Sequence, residues 1–162
     1  MLTLDQIKTI LKLKPHPKEG GFFAETYRCA TEITRQAGNR SLHTAIYYLL
    51  TPESFSEMHR LPGDEMFHFY LGDPVETLQL HPDGSSDIIT LGQDIANGMK
   101  LQHVVSGEVW QGSRIKPGGR FSLLGTTMSP GFEYEDYVSG EAAALIAQWP
   151  DRAAMIRQLS RQ

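Results

Sequence analysis

The sequence predicts an all-β sandwich or barrel with a short helical segment at each end. Short stretches in which apolar and polar residues alternate recur through the middle of the chain, as expected for strands. Turn sequences such as Asp83-Gly84 and Asn97-Gly98 separate them and favour tight hairpins, so most neighbours should pair antiparallel. Short strands at this spacing indicate a sandwich or barrel. The predicted strands are 21–29, 42–50, 55–61, 65–71, 75–80, 88–91, 100–105, 121–128 and 133–138.

The two ends of the chain read as helices. Thr3 starts the first one, with Gln6 three residues later completing a capping box, and Pro15-His16-Pro17 ends it. Near the other end, the Ala-rich stretch 141–149 and the segment 152–159 are predicted to form two short helices. The chain is therefore expected to be one β domain, residues 1–162, with small helical flanks.

Composition excludes several classes of function. A chain of 162 residues can bury a core without cross-links, and a net charge of −4 does not favour nucleic acid as a partner. The only cysteine, Cys29, cannot form an internal disulfide, which suits a reducing compartment. We find no signal peptide, and no apolar run approaches the ~20 residues that a membrane span needs. These features predict a cytoplasmic protein with no membrane partner.

The stretch MHRLPGDEMFHFYLGDP contains the strongest candidates for chemistry. If its two strands form a hairpin around Pro62-Gly63-Asp64, alternation places His59 and Glu65 together in the lumen. Such a pair can ligate a metal or act as an acid–base pair. The non-functional alternative is that both are ordinary polar residues on a solvent-exposed face. The residues expected to share the two inward faces are Phe55, Glu57, His59 and Leu61, and Glu65, Phe67 and Phe69.

The remaining histidines are weaker candidates. His68 falls on the opposite face of its strand, together with Met66 and Tyr70, unless a bulge turns it inward. Of the others, His43 and His103 have no spacing that suggests ligation, and His16 and His81 beside prolines are expected at the surface.

Aromatic residues and a few polar groups complete the predicted pocket. Alternation places Glu25 with Tyr27 and Tyr48 with Thr44 and Ile46. Convergent aromatic and polar side chains are typical of a small-molecule pocket, although each aromatic taken singly also suits a core. The predicted ligand-binding residues are Glu25, Tyr27, Tyr48, Phe67, Phe69, Trp110 and Gln111.

Several motifs resemble the cupin superfamily. The run His59-x-Leu61-x3-Glu65-x6-Gly72 resembles the first cupin motif, and the run from Ser106 to Gln111 resembles the second. The segments PHPKEGGFFAETYR, TAIYYLL, HRLPGDEMFHFYLGDP and VWQG resemble a cupin subfamily catalogued as a domain of unknown function, from about residue 11 to residue 137.

This resemblance implies a double-stranded β-helix, a jelly-roll barrel with a ligand pocket in its lumen. Cupins commonly dimerise, and segment 20–28 has strand character without an obvious partner in its own domain, so a homodimer is expected. Members of the superfamily include metal-dependent dioxygenases and decarboxylases, metal-free sugar-nucleotide epimerases, and binding or storage proteins, so the fold does not settle the function.

The departures from the cupin pattern bear on metal binding. A metal-binding cupin uses three histidines and one glutamate, but Leu61 stands at the second histidine position and Gln111 at the third. Leucine has no donor atom, and an amide oxygen is a poor ligand for softer transition metals. The sequence therefore predicts no cofactor and at most a weakly bound divalent metal, with His59, Glu65 and His68 as its only candidate ligands.

The function predicted from these features is binding of a small polar metabolite in the lumen, with proton transfer as in an isomerase or epimerase of a carbohydrate-like substrate. His59 is the expected acid or base, with Glu65 as its partner, and Gln111 and Tyr48 bind the substrate. The alternatives are a metal-dependent cupin enzyme with an incomplete ligand set, a non-catalytic small-molecule binding protein, and a barrel filled by its own side chains.

Overall fold

The computed structural model describes residues 2–35 and 38–161, which consist mainly of strands. The helices are α1 (Leu4–Ile10), α2 (Ala142–Gln148) and α3 (Ala153–Gln158), with 3-10 turns at Ile95–Asn97, Tyr134–Asp136 and Pro150–Arg152. The strands are β1 (Lys14–Pro15), β2 (Phe22–Arg28), β3 (Glu32–Arg35), β4 (Gly38–Ser41), β5 (Thr44–Leu50), β6 (Ser56–Arg60), β7 (Glu65–Gly72), β8 (Val75–Leu80), β9 (Ser86–Leu91), β10 (Gln102–Val105), β11 (Trp110–Ile115), β12 (Ser122–Met128) and β13 (Val138–Ser139).

The strands form two main sheets. One has six strands in the order β1-β2-β5-β12-β7-β10, and the other has five in the order β13-β6-β11-β8-β9. The pairs within both sheets are antiparallel, and β3 and β4 form a separate hairpin. The sheets pack face to face around an apolar core, so the all-β prediction is confirmed. The central residues of this core are Phe23, Tyr48, Leu50, Phe67, Phe69, Val75, Leu91, Val105 and Leu124.

The hairpin predicted around Pro62-Gly63-Asp64 is wrong. The chain leaves the five-stranded sheet at the end of β6 and enters the six-stranded sheet at β7, so these two strands belong to opposite walls. Asp-Gly does close a hairpin between β8 and β9, where His81 and Ser85 are joined by a backbone hydrogen bond. In a jelly roll, turn chemistry alone does not tell a hairpin from a crossing between sheets.

Several strands differ from the sequence prediction, since β1, β3 and β4 were not predicted. Residues 133–138 were predicted as a strand, but Tyr134–Asp136 form a 3-10 turn and only β13 follows. The strand β11, which lies in the middle of the five-stranded sheet, was not predicted either. Two of its three inward positions, Gln111 and Ser113, are polar and only Ile115 is apolar, so β11 lacks the apolar alternation that reveals the other strands.

The helices behave largely as predicted. Thr3 caps α1 in a capping box with Gln6, although α1 ends at Ile10, before the proline-rich segment. The helices α2 and α3 cover the outer face of the five-stranded sheet, where they bury an apolar cluster that includes Met58, Leu78, Leu80, Trp149 and Ile156. None of the helices in ranges 2–35 and 38–161 is long and apolar enough to cross a membrane.

The homodimer remains a prediction, but an unpaired segment 20–28 does not support it. Segment 20–28 does have partners in its own chain, because β2 pairs with both β1 and β5. A different surface now supports the proposal: Met66, Tyr70 and Val104 are exposed on the outer face of the six-stranded sheet. Apolar patches of this kind mark protein interfaces when they are extensive.

We expect light scattering to give twice the chain mass of 18.1 kDa, and Val104→Glu to reduce it towards that of the monomer. The matched control is Glu53→Gln, on an exposed residue outside the sheets. A wild-type mass near 18.1 kDa at micromolar concentration would contradict the prediction.

Candidate functional site

A bulge in β6 decides which of its side chains face the lumen. His59 lies opposite Gln111 of β11, and Ser56 lies opposite Ser113, so β6 holds one extra residue between these two pairs. The extra residue keeps both Ser56 and His59 on the inner face. The predicted inward face is therefore wrong at Phe55, which packs with the apolar cluster beneath the C-terminal helices.

His59 is almost completely buried, with 1% of its surface exposed. Its Nδ1 atom lies 2.8 Å from the carbonyl oxygen of Glu57. Because a carbonyl oxygen can only accept, Nδ1 carries a proton, and in the neutral ring Nε2 is a bare lone pair. Nε2 is buried and has no hydrogen-bond partner in the described part of the chain. The ring of Tyr137 stacks on the imidazole at 4.9 Å and restricts its orientation.

Glu65 reaches the same region from the opposite sheet. The amide nitrogen of Gln111 donates to its Oε2 atom at 2.9 Å, which joins the two walls of the barrel. Burial raises the pKa of Glu65 to about 7, with a further rise from the Glu19 carboxylate and a smaller opposing effect from His59. Glu65 therefore exchanges a proton near neutral pH. The other amide atom of Gln111, Oε1, is a buried acceptor without a partner among the residues described.

The loop between β1 and β2 contributes residues that the sequence analysis did not select. His16 was predicted at the surface, but only 9% of it is exposed, because its ring packs against Phe23. The hydroxyl of Ser56 donates to Glu19 Oε1 at 2.5 Å, and the backbone N–H of Glu57 donates to the Glu19 carbonyl at 2.9 Å. The loop is thus tied to β6. Its only sequence signal was the segment PHPKEGG.

Among the predicted aromatic residues, Tyr48, Phe67 and Phe69 are buried in the core between the sheets. The hydroxyl of Tyr48 donates to the Gly20 carbonyl at 2.9 Å, which further fastens the loop over the inner face. The contribution of these residues to ligand binding stays a prediction.

Glu25 and Tyr27 were predicted to share a face, but a bulge in β2 separates them. Glu25 lies opposite Ile46 of the inner row, whereas Tyr27 lies opposite Ala45 and is 52% exposed. Glu25 forms an ion pair with Arg28, which also contacts Glu133 at 2.6 Å. The prediction that Tyr27 lines the pocket is therefore wrong, whereas Glu25 lies at the edge of the pocket.

Trp110 and His68 both face away from the lumen. Trp110 precedes Gln111, so the two side chains point to opposite faces of β11, and its ring packs beside Arg60 and the cluster under the C-terminal helices. The prediction that Trp110 lines the pocket is therefore wrong. His68 is hydrogen-bonded to Thr127 and Gln102. The bulge of β7 lies beyond His68 and does not turn it inward.

Two cavities border the β1–β2 loop and the connection between β6 and β7. One of about 120 Å³ is lined by His16, Phe23, Glu25, Arg28, Glu133 and Tyr134, with further neighbours. A larger one of about 590 Å³ is lined by Arg35, Arg40, Pro62, Gly63 and Asp136, among others. Because His59 and Glu65 are buried, the predicted pair lies beneath the surface and not at the mouth of a pocket.

The cupin pattern implies a metal centre, and its ligand set does not fit these residues. Leu61 has no donor atom, and its side chain is buried against Met128 and Tyr137. Gln111 turns its amide nitrogen towards Glu65, which leaves His59 and Glu65 as the strong donors. Within the described ranges, no three His, Cys, Asp or Glu side chains are grouped so that they could hold an ion.

Solved structures resemble this fold over nearly the whole chain. A hypothetical protein from Leishmania major superimposes with a TM-score of 0.90 at 31% identity, covering 99% of this chain and 100% of the other. Protein SO0799 from Shewanella oneidensis gives 0.90 at 35% identity, covering 99% of each chain. Oxalate decarboxylase from Bacillus subtilis gives 0.58 at 11% identity, covering 91% of this chain and 37% of the other, and shows the fold alone. The protein therefore has the cupin fold.

The sequence comparisons define the family more closely. The family described as Cupin superfamily (DUF985) matches residues 5–139. The yeast protein "Uncharacterized protein YML079W" from Saccharomyces cerevisiae is 30% identical over 174 aligned positions, which cover 98% of this chain and 86% of that protein. The chain belongs to the DUF985 family of the cupin superfamily, which confirms the resemblance seen in its motifs.

Proposed function

We propose that the protein binds a small polar metabolite in the barrel lumen and transfers a proton on it, as an isomerase or epimerase of a carbohydrate-like compound. The observation that supports this most strongly is the buried, unpaired Nε2 atom of His59. A buried acceptor without a partner is costly, because its desolvation is not compensated. A ligand that places a donor or an acidic C–H group against Nε2 removes that cost.

The neighbouring groups support proton transfer. His59 Nε2 would take a proton from a carbon beside a carbonyl group, so that the C–H electron pair moves into the carbonyl and an enolate forms. Delivery of a different proton to the other face, from the carboxyl group of Glu65, would give an epimer, and solvent would then take the proton from His59 and reprotonate Glu65. Return of the proton from His59 to the adjacent carbon on the same face, with a matching shift of the hydroxyl proton, would give an isomer. Glu65 would relay a proton, and Gln111 Oε1 would accept a bond from a ligand hydroxyl.

A non-catalytic binding protein is the second candidate, and the burial of His59 and Glu65 favours it. Entry of a ligand requires displacement of side chains that close the lumen, and slow exchange of a tightly enclosed ligand suits storage or sensing more than turnover. The two candidates predict the same contacts but differ in whether a C–H bond is broken.

We expect the protein to exchange the C–H proton next to the carbonyl of at least one three- to six-carbon aldose or ketose for deuterium. Proton NMR in D2O measures this exchange directly, with heat-denatured protein as the control. Binding without exchange across the panel would support the non-catalytic protein instead. Exchange that appears only after addition of Mn²⁺ or Fe²⁺, and is lost with chelator, would support a metal-dependent enzyme.

A further inference from the structure

The segment PHPKEGG contains a buried histidine that the proposed function does not use. The ring of His16 packs edge-on against Phe23, with 4.7 Å between ring centroids, and against Tyr48 at 6.4 Å. Both neighbours belong to the core between the sheets. His16 therefore lies at the edge of the lumen, on the loop that Glu19 and Tyr48 tie to the barrel.

The hydrogen bonds of His16 define its tautomer. The backbone N–H groups of Glu19 and Lys18 point at Nδ1, at 2.8 and 3.4 Å. A backbone N–H can only donate, so Nδ1 is the bare nitrogen and the neutral ring carries its proton on Nε2. Burial lowers the pKa of His16, which the Glu19 carboxylate opposes and His59 reinforces. None of the described residues forms a hydrogen bond with Nε2.

His16 and His59 thus have opposite tautomers. His59 has a bare Nε2 because Nδ1 donates to a carbonyl, and His16 has a protonated Nε2 because Nδ1 accepts from backbone N–H groups. The loop that holds His16 reaches the surroundings of His59, because Lys18 Nζ lies 5.9 Å from the ring of Tyr137, which stacks on the His59 imidazole at 4.9 Å. One ring is an acceptor and the other a donor.

The cavity that His16 lines can hold part of a ligand. Its volume of about 120 Å³ corresponds to about four water molecules. Arg28 lines the same cavity, but its guanidinium is engaged by Glu25, by Glu133 and by the Phe132 carbonyl. The N–H of His16 is therefore the more available donor for a ligand oxygen.

We propose that the Nε2–H group of His16 donates a hydrogen bond to a carbonyl oxygen of the ligand. The C–H or O–H group next to that carbonyl then faces His59. This inference rests on the proposed function and narrows its substrate class to α-hydroxy carbonyl compounds, the aldoses and ketoses, over polyols that lack a carbonyl. A neutral imidazole N–H stabilises an enolate oxygen without giving up its proton, as in other isomerases. His16 is the electrophile and His59 the base.

The tautomers can be tested without any ligand. Nitrogen-15 NMR distinguishes a bare imidazole nitrogen from an N–H nitrogen, and the ligand-free protein at pH 7.5 should show Nε2 protonated in His16 and bare in His59. Assignment uses the spectra of His16→Asn and His59→Asn. A bare Nε2 in His16 would overturn the inference, whatever the protein is found to bind.

Two substitutions at His16 separate its roles in binding and in stability. Asn places an acceptor near the position of Nδ1 and lacks Nε2, so His16→Asn should keep the loop bonds to Glu19 and Lys18. It should weaken aldose or ketose binding by about 10-fold or more. Gln places its amide near Nε2 and lacks an acceptor near Nδ1. His16→Gln should lower the melting temperature by about 2–6 °C while retaining more of the affinity.

Titration calorimetry with the three- to six-carbon aldoses and ketoses measures binding, and the corresponding alditols serve as matched ligands without a carbonyl. Sugar binding that is lost in His59→Asn but unchanged in His16→Asn would overturn the inference and leave the proposed function standing. Equal losses for sugar and alditol in His16→Asn would also overturn it. Absence of sugar binding to the wild-type protein would instead overturn the proposed function. The nitrogen-15 spectrum would still test which nitrogen of His16 carries the proton.

Discussion

The substitution His59→Asn is expected to reduce the rate of C–H exchange on the best aldose or ketose by about 10²–10⁴-fold, the usual contribution of a general base. The Asn amide can still donate to the Glu57 carbonyl, the bond that His59 Nδ1 makes at 2.8 Å. The substitution removes the bare Nε2 together with the ring that stacks on Tyr137. The rate is measured by proton NMR in D2O, and circular dichroism checks that the barrel is folded.

The matched control for this variant is His68→Asn. His68 lies on the outer face of the six-stranded sheet, where it contacts Thr127 and Gln102, so its loss should leave exchange unchanged. Exchange in His59→Asn that stays within threefold of wild type would rule out His59 as the base. If His59→Asn loses several degrees of melting temperature and still binds and exchanges sugar, the His59–Glu65 pair is structural and the barrel-core alternative is favoured.

The substitution Glu65→Gln is expected to stabilise the protein above pH 7. The folded protein raises the pKa of Glu65 from 4.5 to about 7, so the carboxyl group favours the folded state only while it is protonated. Below pH 4.5 both folded and unfolded states are protonated and this contribution is complete. It is lost as the pH rises from 4.5 through about 7, and the loss levels off at as much as ~3 kcal/mol.

Gln is neutral at every pH and can still accept from Gln111, so the variant removes this loss. Thermal unfolding from pH 4 to 9 should show similar melting temperatures at pH 4 and a higher one for Glu65→Gln, by several degrees, at pH 8. Glu53→Gln, which changes an exposed glutamate, should follow the wild-type curve. A Glu65→Gln curve that runs parallel to wild type would show that Glu65 is not buried in its protonated form. The variant should also lose C–H exchange, because an amide cannot relay a proton.

Regular alternation explains why part of the candidate site was predictable. Tyr48, Phe67 and Phe69 lie inward because β5 and the first part of β7 follow the period of two. Glu25 and Tyr27 separate because β2 contains a bulge between them, which leaves no mark in hydrophobic periodicity. Trp110 was misplaced for a different reason: adjacent residues of one strand cannot share a face, so Trp110 and Gln111 cannot both line the lumen.

The sequence by itself determined the all-β class, the capping of α1 and the cupin family, because turn residues, capping boxes and motif spacing are local in the chain. It also predicted by alternation that His59 and Glu65 face inward, and both are buried. Only the tertiary structure decided that these residues come from opposite sheets and that the loop containing His16 and Glu19 is bonded to Ser56 of β6 and to Tyr48 of β5. It also decided the two tautomers, because each depends on which backbone group meets Nδ1, a carbonyl at His59 and an N–H at His16. Such contacts are set by loop closure and by bulges, whose geometry depends on packing across the barrel and not on the order of residues within one strand.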